Sequence, residues 1–264
     1  MRFLNCIHLF WNRLTKHRKI KLNFNPNSNY HLKMTISYCI AVHNEHVELN
    51  LLLEQLFKFL GPNDEIIVQG DQGKVTNRVI SVLHSYTKDA RLVYLEYPLQ
   101  KDFATFKNNM VKQAKKDYVF LLDADEFPPD FLLSNLEFIL EANSEIEVIR
   151  IPRTNVVQGL TNQHIKKWKW KVDLVQIQGS EFQTVLREKY NITTDQISIV
   201  NFPDYQSRIW KNHLGIEYYG KVHEQLEDFK SYSHLPADLE YSIFHVKGID
   251  RQEKQNEFYE ICSK

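Results

Sequence analysis

Little in this chain is lopsided. Lys plus Arg and Asp plus Glu are both 33 in 264 residues, so no net field recruits nucleic acid or an anionic surface. Cysteine is scarce: Cys6, Cys39 and Cys262 are far apart and odd in number. That excludes a disulfide framework and a cysteine zinc site and points to a reducing compartment. No apolar run, such as Tyr118 to Leu122, approaches the roughly 20 residues of a membrane helix. Residues 1 to 14 lack a small-residue cleavage site after a clean apolar run, so no secretory signal is expected and the cytoplasm is the expected location. Internal repeats, low-complexity tracts and the glycine fingerprint of a dinucleotide oxidoreductase are missing too. Gly70-Asp-Gln-Gly73-Lys74-Val75 resembles the end of a phosphate-binding loop, but that motif needs Gly at position 68 and Ser or Thr at position 75, where both residues are Val.

What charge imbalance there is lies at the front. Residues 1 to 44 hold seven Lys or Arg and no acid, leaving 26 basic against 33 acidic residues in the rest. With 43% hydrophobic residues the chain can bury one sizeable core, so the expected organisation is a basic extension, 1–33, and one domain, 34–264. Met34 directly precedes the first strand. Within the extension Phe3, Ile7, Phe10 and Leu14 share one possible helical face, and Asn25 to Asn29 is a polar break. It reads as an extension of little consequence or a helix packed on the domain ahead of a basic anchor giving peripheral membrane contact, because one short apolar face binds lipid only marginally.

From Thr35 onward apolar runs alternate with amphipathic stretches, the pattern of βαβ units around a parallel sheet. Strands are expected at Thr35–Val42, Glu65–Val68, Arg91–Leu95, Tyr118–Leu122 and Glu147–Pro152. Helices are expected at Glu45–Leu60, Val75–Tyr86, Asp102–Lys115 and about Pro129–Ala142. Leu49, Leu52, Leu53, Leu56 and Leu60 recur at helical spacing. The alternation weakens across Gln163–Gly179. Short β-like pieces at Ser180–Leu186, Gln206–Lys211, Ile216–Tyr219 and Leu239–His245 suggest a mixed sheet, closed by a helix over Asp250–Cys262.

The sharpest feature is Tyr118-Val-Phe-Leu-Leu-Asp123-Ala-Asp125-Glu126, a buried strand ending in three acids. Extended geometry predicts that Asp123 and Asp125 point the same way and Glu126 the other. Two converging carboxylates suit Mg²⁺ or Mn²⁺, which takes one or two carboxylates plus substrate phosphates. The position is also where open α/β sheets bind ligands, beyond the carboxyl ends of their strands.

Taken with its neighbours, this stretch resembles the GT-A glycosyltransferases, specifically the inverting family 2 enzymes, over about Met34 to Tyr259. Ala41-Val-His43-Asn-Glu45 looks like the segment flanking the nucleotide base. Gln69-Gly-Asp71 stands where the family has a double Asp, so Asp71 takes the base and ribose role shifted by about a residue. Phe103-Ala, Lys107-Asn and Ala114, followed by Asp123-Ala124-Asp125-Glu126, are similar to the family's helix and DxD stretch. Phe202-Pro-Asp204-Tyr-Gln-Ser-Arg208 and Gly220-Lys-Val-His223-Glu224 resemble distal motifs of a bacterial subgroup that includes lipopolysaccharide-core β-1,4-glucosyltransferases.

The resemblance implies a Rossmann-like α/β fold with a mixed central sheet, residues 34–126 binding the nucleotide sugar and 127–264 the acceptor. It implies transfer of a sugar, most readily a hexose, to a glycan, glycolipid or protein hydroxyl, with a divalent cation. Ala41, His43, Glu45, Asp71, Lys107, Asp123 and Ala124 are the expected donor-binding residues. Asp123 and Asp125 are the expected metal ligands, joined by either His223 or His245. Glu224 is the first candidate for the base that deprotonates the acceptor and Asp204 the second; the bland alternative for each is a salt bridge to Arg208 or Lys221. Trp168, Trp170 and Trp210 can stack on sugar or simply fill space. Two rival readings stand: a DxD-type phosphohydrolase of the haloacid-dehalogenase kind, and a non-catalytic nucleotide-sugar-binding module.

Overall fold

A computed structural model describes residues 16–22 and 34–262. The first half follows the expected alternation. It runs β1 (Lys16–His17), β2 (Ile36–Val42), α1 (His46–Phe59), β3 (Glu65–Asp71), α2 (Asn77–Tyr86), β4 (Leu92–Tyr97), α3 (Phe103–Val111), β5 (Tyr118–Asp123), the two-residue β6 (Glu126–Phe127) and α4 (Asp130–Ala142). Then come β7 (Val148–Gln158), α5 (Asn162–Trp168), β8 (Val172–Gln176), α6 (Glu181–Tyr190), β9 (Gln196–Lys211), β10 (Glu217–Tyr219), β11 (Gln225–Glu227), β12 (Ser231–His234), β13 (Ile243–Gly248) and α7 (Ile249–Cys262).

The main sheet runs β1-β12-β7-β9-β5-β2-β3-β4, with β13 and β6 joined beside β7 and β8 beside β9. β5, β2, β3 and β4 are parallel; β9 runs antiparallel to both β5 and β7. β5 shows why its run is apolar throughout. Tyr118, Phe120 and Leu122 enter the core shared with the leucines of α1 and α4, while Val119 and Leu121 enter the core under α3 with Trp210 and Tyr218. A strand buried on both faces has no polar side to show.

β7 is longer than expected because Pro152 does not end it. Its outer edge pairs with β12 through Val148–Arg150 and with β13 from Arg153 onward. Pro152 sits in the gap between the two partners, where a missing N–H breaks little of the ladder. The β9 segment is likewise one strand of 16 residues rather than a short piece from Gln206. The strand expected at Ser180–Leu186 is instead part of helix α6. Ser180 caps it by accepting from the Gln183 amide, Arg187 and Lys189 lie in its last turn, and Phe182, Val185 and Leu186 are buried at helical spacing. Leu239–Tyr241 is a 3₁₀ turn ahead of β13, so the strand there starts later than expected.

The helical face expected over residues 3–14 and the break at 25–29 lie outside the described residues. Residues 16–22 are docked on the domain. β1 pairs in parallel with β12, Asn143 exchanges two hydrogen bonds with the Lys21 backbone (2.7 and 2.9 Å), and Ile20 and Leu22 pack against the larger core. Among the described residues no helix is long and apolar enough to cross a membrane. A chain beginning at Met34 is expected to fold with a thermal midpoint lower by about 5 °C, the effect of losing about 2 kcal/mol of edge pairing and packing. Calorimetry of the two lengths checks this. An unchanged midpoint assigns no stability to residues 16–22, and an insoluble product makes them part of the core.

Candidate active site

One cavity of about 1440 Å³ opens along the carboxyl ends of β2, β3 and β5 and across β7 and β9. All twelve residues singled out from sequence line it: Ala41, His43, Glu45, Asp71, Lys107, Asp123, Ala124, Asp125, Asp204, His223, Glu224 and His245. They come from both halves of the chain, because β9 returns antiparallel beside β5 and β13 lies beside β6.

The acids after β5 do not fan out as an extended strand predicts. The strand stops at Asp123, and Ala124-Asp125 form a turn, so the side chains are sorted by their partners. Arg208 Nη2 donates to Asp123 Oδ2 at 2.9 Å and also to Glu126 Oε1. Asp123 and Glu126 thus share one guanidinium, whereas Asp125 turns to His245 Nε2 at 3.1 Å and Arg251 Nη2 at 3.2 Å. Burial opposes the charge on Asp123 and on Asp125. Lys107 and Arg208 around the first, and His245, Lys247 and Arg251 around the second, outweigh it and hold both below the usual carboxylate range.

Lys107, on α3, is buried and links two acids: its Nζ donates to Glu224 Oε1 at 2.6 Å and lies 3.7 Å from Asp123 Oδ1. Burial alone would lower its pKa, but Asp123 and Glu224 raise it, so it stays charged. Glu224 therefore pairs with Lys107, not Lys221. Asp204 pairs with Arg153 rather than Arg208. Its Oδ2 accepts from Arg153 Nε at 2.9 Å, Arg153 Nη2 at 2.7 Å and Asn155 Nδ2 at 2.9 Å, and its Oδ1 accepts from Gln206. Burial raises the Asp204 pKa, but Arg153, Asn155 and Gln206 together lower it.

Asn155 also fixes a histidine. Its Nδ2 is committed to Asp204, so Oδ1 is the atom 2.7 Å from His245 Nδ1, and that nitrogen carries the proton. Burial, the leading influence on His245, lowers its pKa, and Asp125 opposes that. Nε2 shares a proton with the Asp125 carboxylate at 3.1 Å, and loss of that proton would leave a lone pair and a carboxylate oxygen facing one position. One imidazole nitrogen and one carboxylate oxygen, with the second ring nitrogen held by an amide, fit Mn²⁺ or Mg²⁺. His223 is exposed and packs its ring against Tyr259, 5.3 Å between centroids. Among the described residues no three of His, Cys, Asp and Glu gather as a ligand cluster, so the remaining ligands of such an ion come from donor phosphates or water.

Glu45 accepts from the His43 and Asn44 amides at 2.8 and 3.0 Å and pairs with Arg251 at 2.7 Å, which joins the loop after β2 to α7. Asp71 accepts from the Leu99 amide and Lys74, each at 3.0 Å. Just before it, Gly70 is required, since a Cβ there would collide with Val75 and Tyr94. Trp210 is core, 1% exposed; Trp170 lines the cavity and packs on Trp168. Sequence reasoning missed Arg153, Asn155, Lys247 and Arg251. The alternation Arg153-Thr-Asn155 continues the strand past Pro152 and was the available signal for the first two.

A Rossmann-like mixed sheet whose central strand ends in cation-held carboxylates, in a cavity built from both halves, is the architecture of a GT-A glycosyltransferase. The family model described as "Glycosyl transferase family 2" matches residues 37–219, and the chain belongs to that family. Among curated proteins, none matches the sequence. S. aureus TarS 1-349 is similar in fold, with 16% identity, 87% of this chain and 64% of that one covered, and a TM-score of 0.51. The same protein in complex with UDP-GlcNAc gives 17%, 81%, 59% and 0.52. The mannosyltransferase PcManGT from Pyrobaculum calidifontis, in complex with GDP-Man and Mn²⁺, gives 17%, 56%, 43% and 0.41. The chain spans less than two thirds of each of these structures.

Replacing Arg208 takes the shared cation from the part-exposed Asp123 and the buried Glu126, so Arg208→Met is expected to destabilise the fold by about 3–5 kcal/mol. Urea unfolding reads this directly. A loss below about 1 kcal/mol would show that Lys107 and Arg153 carry the cluster without it.

Proposed function

We propose that the chain transfers a sugar, most readily a hexose, from a nucleotide-sugar donor to an acceptor hydroxyl, with inversion and with a divalent cation. The observation that carries this is the convergence in one cavity of Asp123 and Asp125 with Lys107, His245, Asp204 and Glu224. In this reading residues 34–126 hold the donor and 127–264 the acceptor. Ala41, His43, Glu45 and Asp71 flank the base and ribose, and Lys107, Asp123 and Ala124 face the sugar diphosphate. The distal motifs around Asp204 and Glu224 support a place near the lipopolysaccharide-core β-1,4-glucosyltransferases. TarS binding UDP-GlcNAc makes uridine diphosphate sugars the first donors to try. The acceptor is a glycan, glycolipid or protein, met in the cytoplasm, with peripheral membrane contact added by the basic charge of residues 1–33.

Asp125 and His245 would hold the cation, which supplies charge stabilisation for the departing diphosphate. Asn155 keeps the His245 lone pair aimed at that position. Glu224 is the better base. Among the described residues its side-chain partner is Lys107, on Oε1 alone, whereas both Asp204 oxygens are engaged by donors that hold it ionised and make it a weak proton acceptor. Lys107, shared by Glu224 and Asp123, offsets the negative charge that grows on the diphosphate as the glycosidic bond breaks.

Asp125→Ala is expected to abolish transfer and cation-dependent donor binding while the fold is retained, which titration of a nucleotide sugar with and without Mn²⁺ checks. Normal turnover in that variant removes the metal reading. Glu224→Gln is expected to keep donor affinity and lower kcat by about 10² or more. The reverse pattern, with Asp204→Asn inactive and Glu224→Gln active, makes Asp204 the base. Cation-dependent nucleotide binding without transfer or hydrolysis in the unmodified protein identifies a binding module instead.

A further inference from the structure

Four arginines line the cavity: Arg150, Arg153, Arg208 and Arg251. Three are neutralised by carboxylates. Arg153 pairs with Glu126 and Asp204, Arg208 with Asp123 and Glu126, and Arg251 with Glu45, Glu48 and Asp125. Arg150 forms no ion pair among the described residues. Its guanidinium carbon lies 4.3 Å from the centre of the Tyr232 ring, and its Nε is buried with no hydrogen-bond acceptor. Residues 1–15, 23–33 and 263–264 contain no Asp or Glu, so they offer it no side-chain carboxylate.

A half-buried cation with an unmet N–H is costly to keep, and burial holds its pKa below the ordinary value. The flanking His234 is pushed down to about 4 by burial, with Arg150 and His17 adding to the effect, so it adds no second positive charge near pH 7. The geometry around Arg150 suits an anion with two oxygens. Its two Nη groups, rather than the buried Nε, make the parallel fork that binds a phosphoryl or carboxylate group, and the Tyr232 face holds the guanidinium plane.

The position separates this group from the expected donor diphosphate. Arg150 is opposite Ser207 on β9, whereas Asn155, five residues further along β7, is opposite His245 on β13. Five strand residues span about 16 Å, and the three residues to Arg153 about 10 Å. Arg150 thus lies on the far side of the Arg153–Asp204 pair from the Asp125–His245 pair. We propose that Arg150 anchors an acceptor subsite that takes an anionic group, phosphoryl or carboxylate, carried by the acceptor beside the hydroxyl that receives the sugar. This rests on the donor-and-acceptor reading of the cavity.

The test is a thermal-shift titration of the full chain, unmodified and as Arg150→Gln and Arg150→Lys, with inorganic phosphate and with acetate, each alone and in the presence of UDP and Mn²⁺. The expected result is stabilisation of the unmodified protein by one of the two anions, additive with UDP. It should be weakened about tenfold or more in Arg150→Gln and less in Arg150→Lys, which keeps the charge but not the fork. Whichever anion acts identifies the acceptor group. The proposal is overturned if neither anion stabilises the unmodified protein, if Arg150→Gln responds equally, or if UDP fully displaces the anion. Should Arg150→Gln fail to fold, Arg150→Lys carries the comparison. Failure of UDP and Mn²⁺ to stabilise the unmodified protein counts against the donor reading alone, since the anion arms without UDP are read separately.

Discussion

The Arg208 guanidinium is the constraint on which the rest of the site depends. β5 carries its apolar side chains into two cores and then ends in three acids, of which Asp125 and Glu126 are buried and Asp123 is partly open to the cavity. Without a cation from a neighbouring strand, that end of the sheet would hold uncompensated buried charge, which no amount of apolar packing nearby offsets. β9 supplies it by running antiparallel beside β5, with Ile209 opposite Phe120. The return of β9 through the middle of the sheet, rather than at its edge, is therefore tied to the chemistry at the end of β5.

From Arg208 the charges extend in both directions as a connected chain. One arm runs through Asp123 and Lys107 to Glu224. The other runs through Glu126 and Arg153 to Asp204, then through Asn155 and His245 to Asp125, and on through Arg251 to Glu45. Alternating signs and fixed donors keep Asp123, Asp125 and Asp204 ionised and Lys107 and Arg208 charged. The geometry that orients the His245 lone pair is set by the same asparagine that occupies Asp204, which ties the cation position to the weaker of the two base candidates.

The parallel half was legible in sequence because each strand there is an uninterrupted apolar run and each helix shows leucines at helical spacing, as in Tyr118–Leu122 and Leu49–Leu60. The second half was less so, for identifiable reasons. Ser180–Leu186 has the β-branched and aromatic residues of a strand, and only the Ser180 cap and the basic last turn betray the helix. Pro152 looked like a strand end because its neighbour changes from β12 to β13 there, a fact of tertiary pairing that no local window contains. All twelve singled-out residues reach one cavity, yet their partners were not readable: Arg208, Arg153 and Lys107 are chosen by strand register and helix placement.

The most direct measurement is anomalous diffraction at the manganese edge from crystals of the full chain soaked with UDP and Mn²⁺. The expected result is one peak within bonding distance of Asp125 and His245 Nε2, in contact with the diphosphate, with Arg208 still shared between Asp123 and Glu126. A nucleotide bound outside this cavity, or a manganese peak away from Asp125 and His245 while UDP is in place, would contradict it.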